Sequence, residues 1–482
     1  MAKILLIQPP IYISEYTARG SAHTLSILPP MGLAYIAGYL REHGHICEIV
    51  DGMATPFSLD ILTNKASSFD VIGITAVSTF AKRVNEIIGV LKRGKVKAPV
   101  VVGGPHATVL PESCLRNGAD YVVFGEGEIT MLELVNALAS GNPVDNISGI
   151  AYLNDNKFHR TPARRIIENL DDIPLPARDL LPMNKYRSSE ARSKKQPSHS
   201  LFTSRGCPGN CSFCNKMIFG SKVRYYSVDR IVEEFFLLRD TYGAQDLAIW
   251  DDNFLADRNV AHTVCDSLIK NKLKRTWSIE ARIDSVDRDI LLHAKEAGCD
   301  FIAYGIESGS QKMLDSMNKR ITLEQIRQTI KMTKEVGINI RGYFMMGMPN
   351  ETVEDMDKTI SFAKELDIEV ASFTLFVPLP GTIEYRRAMK TGTFVDPEYF
   401  LHDVYPEFNF PSAPLYIPDG MTGEELLEKH KSAYNKYYFR LPFLLKSALA
   451  MRSFQDIARN FKGMLNLLSN AFMKIKKKKD SA

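Results

Sequence analysis

The feature that most constrains this chain is a group of three cysteines, Cys207, Cys211 and Cys214, spaced C-x3-C-x2-C. Iron–sulfur clusters and zinc both prefer thiolate ligands, and three on so short a loop can reach one metal centre. A closed structural zinc site needs four ligands, and His199 is close enough in sequence to complete one. A four-iron cluster (4Fe–4S) held by three cysteines would leave one iron open. The spacing predicts such a cluster, with a zinc site and three inert thiols as alternatives.

The sequence around these cysteines suits a tight loop. Residues 203–216 read Thr-Ser-Arg-Gly-Cys-Pro-Gly-Asn-Cys-Ser-Phe-Cys-Asn-Lys, and Phe213 can shield a cluster or stack on a bound ring. This loop resembles the signature of the radical S-adenosylmethionine (SAM) enzymes. The resemblance implies that the open iron binds the amino and carboxylate groups of SAM, and that reductive cleavage yields a 5′-deoxyadenosyl radical. It also implies an electron donor such as a flavodoxin or ferredoxin.

Residues 1–145 alternate short apolar runs with helical stretches. The predicted strands are 3–8, 46–50, 71–75, 98–102 and 121–124. Strands and helices that alternate at this spacing predict an α/β fold, a doubly wound, Rossmann-like parallel sheet with helices on both faces. Ligands bind such sheets at the carboxyl ends of the strands.

Three of these strand ends carry residues that allow a ligand to approach. They are Ser78, Thr79, Gly103, Gly104, His106, Gly125, Glu126 and Gly127. Ordinary strand-to-helix turns are the alternative interpretation. The sequences Val-Val-Gly-Gly-Pro-His-Ala-Thr and Val-Val-Phe-Gly-Glu-Gly-Glu resemble the cobalamin-binding domain that is fused to many radical SAM enzymes. The resemblance implies that these residues contact cobalamin.

The loop after the first strand departs from one cobalamin-binding pattern. Residues 9–24 contain no Asp-x-His-x-x-Gly motif, and His23 lacks the residues that would surround the histidine of that motif. His106 follows a Gly-Gly-Pro turn typical of the radical SAM branch. The resemblance therefore implies cobalamin with no histidine on its lower face, which leaves cobalt easy to reduce to Co(I).

Residues 146–199 are predicted to form a linker with a β-hairpin at 147–153 and 158–160, followed by a polar, mobile stretch at 188–199. In residues 200–400, six apolar runs alternate with helical stretches, which predicts a partial (βα)6 TIM-like barrel. Such barrels place their chemistry at the carboxyl ends of the strands. The cysteine loop follows the first of these strands, as this rule requires.

Polar residues collect at the same edge of the predicted barrel. A carboxylate there can hold the ribose of SAM and a cation can hold its carboxylate, whereas helix capping or mutual pairing is the alternative. The segments resemble radical SAM porphyrin enzymes, in which residues corresponding to Glu280, Glu307 and Lys319 contact SAM and the segment 250–253 lies against its methionine part. The predicted SAM contacts are Phe213, Trp250, Asp252, Glu280, Arg282, Glu307, Lys319 and Arg341.

Residues 401–482 are predicted to form an aromatic cap followed by amphipathic helices with a basic tail. Apolar residues recur every three or four positions from Phe454 to Phe472, before the lysine-rich segment 474–479. Such a helix can lie on an anionic membrane surface, and docking on the barrel is the alternative. Membrane contact would favour a lipid-like substrate over other small molecules.

Composition limits the classes of binding partner and the cellular compartment that we expect for this protein. The formal net charge of +4 on 482 residues does not favour nucleic acid as a partner. Seven cysteines with three clustered indicate a reducing interior. No stretch reaches about 18 apolar residues, and the N-terminus lacks a signal-peptide pattern. We expect a cytoplasmic protein, with peripheral contact at the inner face of the membrane as the open alternative.

The resemblance implies one main activity and two alternatives. The main one is methylation of an unactivated carbon through the adenosyl radical and methylcobalamin. The first alternative is oxidative ring closure, as in the anaerobic magnesium-protoporphyrin IX monomethyl ester cyclases, whose sequence the segment 437–446 resembles. The second is a cobalamin carrier or sensor without enzymatic activity, which would have no use for an open cluster.

Overall fold

The computed structural model describes residues 1–10, 26–188, 193, 195–395 and 413–449. Several sequence predictions lie outside these ranges: the environment of His23, most of the aromatic cap, and the amphipathic helix with its lysine-rich tail beyond residue 450. Within the described ranges, no helix is long and apolar enough to cross a membrane.

The first sheet has seven strands in the order β2-β1-β3-β4-β5-β6-β7. Its strands are β1 Lys3–Gln8, β2 Ile46–Asp51, β3 Val71–Thr75, β4 Val100–Gly103, β5 Tyr121–Val123, β6 Ile150–Asn154 and β7 Lys157–Arg160. The strands β1 to β5 pair in parallel. The helices of this part are Met31–Glu42, Leu59–Ala66, Ala81–Arg93, Pro105–Val109, Pro111–Arg116 and Glu128–Ser140. The order 2-1-3-4-5 is that of a doubly wound sheet, with its ligand crevice between β1 and β3, which confirms the predicted fold.

The central strand β1 shows why this sheet has helices on both faces. Ile4 and Leu6 enter one apolar core, and Leu5 and Ile7 enter another on the opposite face. All four side chains are almost fully buried. A continuous apolar run is what a strand covered on both faces requires, because successive side chains point to opposite sides.

Described segments of the predicted linker 146–199 pair or pack with the two sheets. The hairpin forms, but β6 pairs antiparallel with β5, and β7 pairs with β6. The pairing satisfies backbone groups that the edge of β5 would otherwise leave open. Farther along, Leu170 is fully buried, and Arg178 forms a buried ion pair with Glu234. The first sheet therefore continues to Arg160, beyond the boundary predicted at residue 145.

The second sheet has six parallel strands in the order β8-β11-β12-β13-β14-β15. The strands of this part are β8 Ser198–Leu201, β9 Ser204–Arg205, β10 Arg224–Tyr225, β11 Asp246–Ile249, β12 Thr276–Ala281, β13 Cys299–Glu307, β14 Asn339–Met346 and β15 Val370–Leu375. The helices between them are Val228–Asp240, Arg258–Lys270, Arg288–Glu296, Gln311–Ser316, Leu323–Val336 and Val353–Leu366. β8 and β15 end the sheet, so the predicted partial barrel is confirmed. Ser198 and His199 are buried in β8, so the prediction of a mobile stretch is wrong for these two residues, because β8 pairs along β11.

Beyond the barrel, β16 Thr393–Phe394 pairs with β17 Tyr416–Ile417, and the helices Ile383–Ala388, Gly423–Tyr438 and Leu441–Leu449 complete the described fold. The helix Gly423–Tyr438 covers the open edge of β15. The Tyr438 hydroxyl donates to the Ala371 carbonyl at 2.9 Å and accepts from the Ala371 amide at 3.1 Å. Tyr434 does the same for Phe373, at 2.9 and 3.3 Å. An unpaired strand edge invites pairing with another chain, and these hydroxyls satisfy it.

Candidate active site

The loop that carries the three cysteines leaves the barrel between two short strands. β9 and β10 pair antiparallel, Arg224 opposite Arg205 and Tyr225 opposite Ser204, which closes the base of the loop. Gly206 begins the loop with φ +94°, and a Cβ there would lie 2.3 Å from the Lys222 carbonyl oxygen. Only glycine fits this left-handed position against neighbouring backbone.

A set of half-buried and exposed hydrogen bonds from Lys216 joins the two arms of the loop. The Lys216 ammonium donates to the Gly209 carbonyl at 2.6 Å, to the Ser221 hydroxyl at 3.0 Å and to Asn210 Oδ1 at 3.2 Å. One cation therefore gathers polar atoms from both arms of the loop. An ammonium has three N–H donors and suits such a convergent set of acceptors.

The barrel holds the loop from the outside through Ser212. Its amide donates to the Met317 carbonyl at 2.9 Å, and its hydroxyl donates to Glu384 Oε1 at 2.5 Å. Glu384 is fully buried. Asn215 adds a hydrogen bond to the Pro380 carbonyl at 3.0 Å. The loop is therefore fixed at positions on either side of Phe213.

The donor set fits a four-iron cluster and does not fit a closed zinc site. His199, the candidate fourth zinc ligand, is buried in β8 with Nε2 3.3 Å from the Tyr242 carbonyl oxygen. In the described ranges, no three His, Cys, Asp or Glu side chains converge on a point that could hold a single ion. Each cysteine of a four-iron cluster binds a different iron, so its sulfurs need not converge in this way. Three soft ligands on one loop thus favour the cluster.

The two carboxylates that follow β11, those of Asp251 and Asp252, make different contacts. Asp251 is buried and accepts hydrogen bonds from the Thr203 amide at 2.7 Å, from the Thr203 hydroxyl and from the Ser204 hydroxyl at 2.6 Å. Burial raises the pKa of Asp251 to about 6. Asp252 lies beside the cysteine loop, where its carboxylate accepts from the Gly206 backbone. The structural partner, Asp251, was not among the predicted site residues, although the Asp-Asp pair marked the position.

Glu307 and Lys319, two of the predicted SAM contacts, form an almost buried ion pair beside the cysteine loop. Lys319 Nζ lies 2.7 Å from Glu307 Oε1 and 5.8 Å from the centroid of the Phe213 ring. Glu307 has φ +69°, a strained conformation for a residue other than glycine. Such strain in a strand end is common at ligand-binding sites, so this group is a candidate for holding SAM next to the cluster.

We expect Gly305→Ala to weaken SAM binding at least tenfold without unfolding the barrel. An added Cβ would lie 2.5 Å from Glu307 Oε1 and 2.8 Å from Lys319 Nζ, so the ion pair must move. A loss of about 1.4 kcal/mol, of the order of one charged hydrogen bond, corresponds to a factor of ten. Titration calorimetry with reconstituted protein measures the effect. Gly32→Ala is the matched control, because its Cβ meets nothing within 4 Å; equal SAM affinities for the two variants would contradict the role of the pair.

A second group of predicted SAM contacts, which includes Trp250, Glu280 and Arg341, lines a narrow cleft inside the barrel. The strand register places Glu280 beside Ala303 and Ala303 beside Arg341, so the group occupies one layer of the sheet. Tyr343, which was not predicted, donates to Glu280 Oε1 at 3.1 Å. The predicted contacts therefore fall into two groups, one beside the cluster loop and one inside the barrel.

The predicted cobalamin contacts lie together at the carboxyl ends of β3, β4 and β5. The Ala76 amide donates to the Gly103 carbonyl at 2.8 Å, and the Gly125 amide donates to the Thr108 hydroxyl at 3.1 Å. Gly104 has φ +95°, and a Cβ there would lie 2.9 Å from the Ala76 carbonyl oxygen. Hydrogen bonds thus join the three strand ends into one edge. Ser78 and Thr79 begin the short turn after β3, and Gly127 precedes the helix Glu128–Ser140.

His106 belongs to this edge and is almost completely buried. Its Nδ1 lies 3.1 Å from the Ser78 hydroxyl oxygen. Burial lowers the pKa of His106 to about 4, so the imidazole is neutral at pH 7. The absence of a histidine below cobalt stays a prediction.

Comparisons with known proteins agree with both a cobalamin-binding region and a cluster-binding region. Residues 21–135 match the family model of the B12 binding domain, and residues 201–363 match that of the Radical SAM superfamily. An uncharacterized methyltransferase of Pyrococcus horikoshii is 33% identical over 474 residues, which cover 97% of this chain and 99% of the relative. The chain belongs to the cobalamin-dependent radical SAM enzymes. Its cofactors are a 4Fe–4S cluster, SAM and cobalamin.

Two further relatives of this radical SAM enzyme bear on its fold and chemistry. The structure of the radical SAM methyltransferase TsrM from Kitasatospora setae, solved with cobalamin and a 4Fe–4S cluster, has a TM-score of 0.72 at 17% identity and covers 97% of this chain and 99% of that one. This likeness shows the fold. The anaerobic magnesium-protoporphyrin IX monomethyl ester cyclase of Rubrivivax gelatinosus is 29% identical over 90% of this chain and 78% of its own length.

A buried ion-pair network joins the two cofactor domains of this radical SAM enzyme. Arg205 Nη1 lies 3.0 Å from Glu126 Oε1, and Arg224 Nη1 lies 2.9 Å from Glu126 Oε2. Arg205 Nη2 also lies 2.6 Å from Glu128 Oε1, and the Ile167 amide donates to Glu126 at 2.8 Å. The carboxylate of Glu126, predicted as a cobalamin contact, is therefore engaged with the base of the cysteine loop. The two arginines were missed because no local pattern links them to residues 77 to 98 positions away.

Proposed function

We propose that this enzyme methylates an unactivated carbon of a small-molecule substrate, with SAM as the source of the methyl group and cobalamin as its carrier. The observation that carries the proposal is the buried pair between Glu126 and Arg205. It fixes the cobalamin-binding edge to a residue two positions before Cys207, so the methyl carrier and the radical source share one rigid frame. The methyltransferase relative from Pyrococcus and the methyltransferase TsrM support the same reaction class.

The cofactors supply the difficult chemistry, namely a carbon-centred radical from SAM and a transferable methyl group on cobalamin. In this proposal Cys207, Cys211 and Cys214 hold the cluster. Lys319 and Glu307 hold the part of SAM nearest the cluster. Backbone groups at the ends of β3, β4 and β5 surround cobalamin, and the barrel walls exclude water from the radical.

We assign the residues that line the cleft inside the barrel to SAM as well. Arg341 and Glu280 line the cleft in one layer of strands and offer opposite charges to the polar ends of SAM. Trp250 offers an apolar surface beside them. The barrel wall thus orients the ligand, while the cysteine loop holds its reactive end.

The electron that starts the reaction is proposed to come from a flavodoxin or ferredoxin, since cleavage of SAM is reductive. Peripheral contact with a membrane stays a prediction, because the lysine-rich segment 474–479 lies outside the described residues. The last described helix, Leu441–Leu449, leaves Leu441, Leu445 and Leu449 exposed, which is compatible with either an apolar surface or docking of the following segment.

Oxidative ring closure is the second candidate, because the Rubrivivax cyclase is similar along 90% of this chain. The cyclase-like segment 437–446 has structural roles here. The Tyr437 hydroxyl donates to the Ile368 carbonyl at 2.5 Å, and the Arg440 guanidinium pairs with Asp367. These contacts explain the aromatic and basic residues of this segment without a porphyrin substrate, so they do not favour the cyclase.

Product mass distinguishes the two candidates. We expect incubation of reconstituted enzyme with methyl-deuterated SAM, a low-potential reductant and a metabolite extract to produce a compound that carries three deuterium atoms. The methyl group must come from SAM in our proposal, whereas ring closure removes hydrogen or adds oxygen and leaves no label. A Cys207→Ala reaction run in parallel shows which mass changes depend on the cluster. A cluster-dependent product without deuterium would contradict methylation.

A further inference from the structure

Arg282, one of the predicted SAM contacts, lies against the cysteine loop. Its Nη1 is 3.3 Å from Cys211 Sγ. Its Nε and Nη2 each donate to one carboxylate oxygen of Asp284 at 2.9 Å, and Nη2 also donates to the Lys319 carbonyl at 3.0 Å. The side chain is 14% exposed. The guanidinium is therefore held in one orientation, with Nη1 directed at a sulfur of the triad.

These contacts leave Arg282 poorly able to bind a second carboxylate. A guanidinium has five N–H donors, and the described contacts use four of them. Bidentate recognition needs two parallel N–H groups on one edge of the guanidinium. One edge is taken by Asp284, and the other is shared between Cys211 and the Lys319 carbonyl. The geometry thus points to the cluster as the group that this cation serves.

The loop is also shaped to admit the guanidinium. A Cβ at Gly209 would lie 2.8 Å from Arg282 Nη1 and 3.4 Å from Cys207 Sγ. Any larger residue at this position would push the arginine away from the sulfurs. The glycine therefore does more than bend the loop, because it leaves the space through which Nη1 reaches Cys211.

A cation at this position has a definite effect on an iron–sulfur cluster. One-electron reduction converts a 2+ core to a 1+ core without breaking a bond, so the cluster with three thiolates becomes more negative by one charge. Hydrogen bonds to the sulfurs and nearby charge stabilise the more negative form and raise the reduction potential. Limited exposure strengthens the interaction, because water screens it less.

We propose that Arg282 tunes the reduction potential of the cluster through its charged hydrogen bond to Cys211, and that Asp284 and Lys319 serve as its anchors. The proposal rests on the assignment of the three cysteines as cluster ligands and does not depend on the substrate or on methylation. Arg282 is a positioning residue in this sense, since it acts through a ligand of the cluster.

The test is a redox titration of the reconstituted cluster without SAM or substrate, followed by electron paramagnetic resonance with dithionite as the source of electrons. We expect Arg282→Gln to make reduction about tenfold less favourable, which lowers the midpoint potential by about 59 mV for a one-electron couple. Arg288→Gln is the matched control, because it removes the same charge from an exposed pair with Glu335. A midpoint of Arg282→Gln equal to that of the control would overturn the proposal.

Two further variants keep the proposal testable if Arg282→Gln fails to assemble the cluster. Arg282→Lys keeps the charge but loses the fixed orientation of the guanidinium, and should lower the midpoint potential by less than about 59 mV. Asp284→Glu keeps the negative charge but displaces the anchor of Arg282, and should lower the potential by a smaller amount. Unchanged potentials in both would overturn the proposal. An unchanged midpoint in Arg282→Gln, together with loss of the spectral change that SAM causes, would show that Arg282 holds SAM instead.

Discussion

We expect Cys207→Ala to abolish the reductive cleavage of SAM and to leave cobalamin bound. The variant removes one of three thiolates from an open cluster, and the loop offers no replacement. The nearest cysteines along the chain, Cys265 and Cys299, are buried in the barrel at 0% and 1% exposure. Burial raises the pKa of Cys265 to about 12, so it provides no thiolate at neutral pH. The cobalamin edge belongs to another sheet and keeps its own hydrogen bonds.

Three measurements check this expectation on the anaerobically reconstituted protein. Iron analysis reports the cluster, chromatography reports 5′-deoxyadenosine after addition of dithionite and SAM, and the visible spectrum reports bound cobalamin. Cys265→Ala is the matched control, since it removes a buried thiol from the helix Arg258–Lys270 and should keep all three signals. Wild-type production of 5′-deoxyadenosine by Cys207→Ala would contradict the assignment of the triad. Loss of cobalamin from the same variant would show that the two domains do not bind their cofactors independently.

The parts of the site that could be predicted from the sequence are those whose role depends only on residues nearby in the chain. Cys207, Cys211 and Cys214 lie within eight residues, and their chemistry follows from ligand type and spacing. The glycines at the ends of β4 and β5 were predictable for a similar reason. Gly104 at φ +95° and Gly125 at φ +78° need no distant partner to mark a turn.

The parts that could not be predicted depend on which distant group faces a given charge. Arg282 was predicted as a SAM contact because a cation at this edge can hold the carboxylate of SAM, and the structure places its Nη1 against Cys211, 71 positions away. Glu126 was expected to contact cobalamin because its loop resembles the cobalamin-binding domain, and the structure adds a pair between its carboxylate and Arg205. Spacing indicates that a charged residue lies at the correct edge of a sheet. It does not indicate which of several counter-charges at that edge will pair with it.

The aromatic segment near the C-terminus shows a related limit. Its likeness to the porphyrin cyclases pointed to substrate chemistry, whereas Tyr437 bonds a backbone carbonyl and the preceding Tyr434 satisfies the edge of β15. Relatives with the same open barrel need the same edge covered. A shared structural requirement can therefore produce a shared sequence without a shared substrate.

The second large effect is expected at the junction of the two domains, where Glu126→Gln should lower the free energy of unfolding by about 3–5 kcal/mol. The side chain of Glu126 is 3% exposed, and those of Arg205 and Arg224 are 5% and 2% exposed. An amide has the same shape and can still accept from the Ile167 amide, but it carries no charge. Arg205 then keeps its pair with Glu128, whereas Arg224 is left buried with the carbonyl oxygens of Ile167 and Phe219 as its acceptors.

Urea unfolding of the apoprotein measures the loss, with two probes that report different regions. Circular dichroism follows both sheets, whereas tryptophan fluorescence follows the barrel alone, because Trp250 and Trp277 are the only tryptophans in the sequence. The network spans the junction, so we expect both probes to shift in Glu126→Gln. Both transitions are fitted separately, because a chain of two domains need not unfold in one step.

Glu112→Gln is the matched control for this experiment. It removes the same charge from an exposed pair with Arg116, with side chains 47% and 60% exposed, and an exposed pair contributes about 0–1 kcal/mol. A loss in Glu126→Gln no larger than in the control would mean that the junction tolerates an unpaired charge, and the rigid frame between cobalamin and cluster would lose its support. A loss seen by circular dichroism but not by fluorescence would place the effect in the cobalamin domain alone. The expected result, a large loss with both probes, would show that Glu126 stabilises the two domains as one unit.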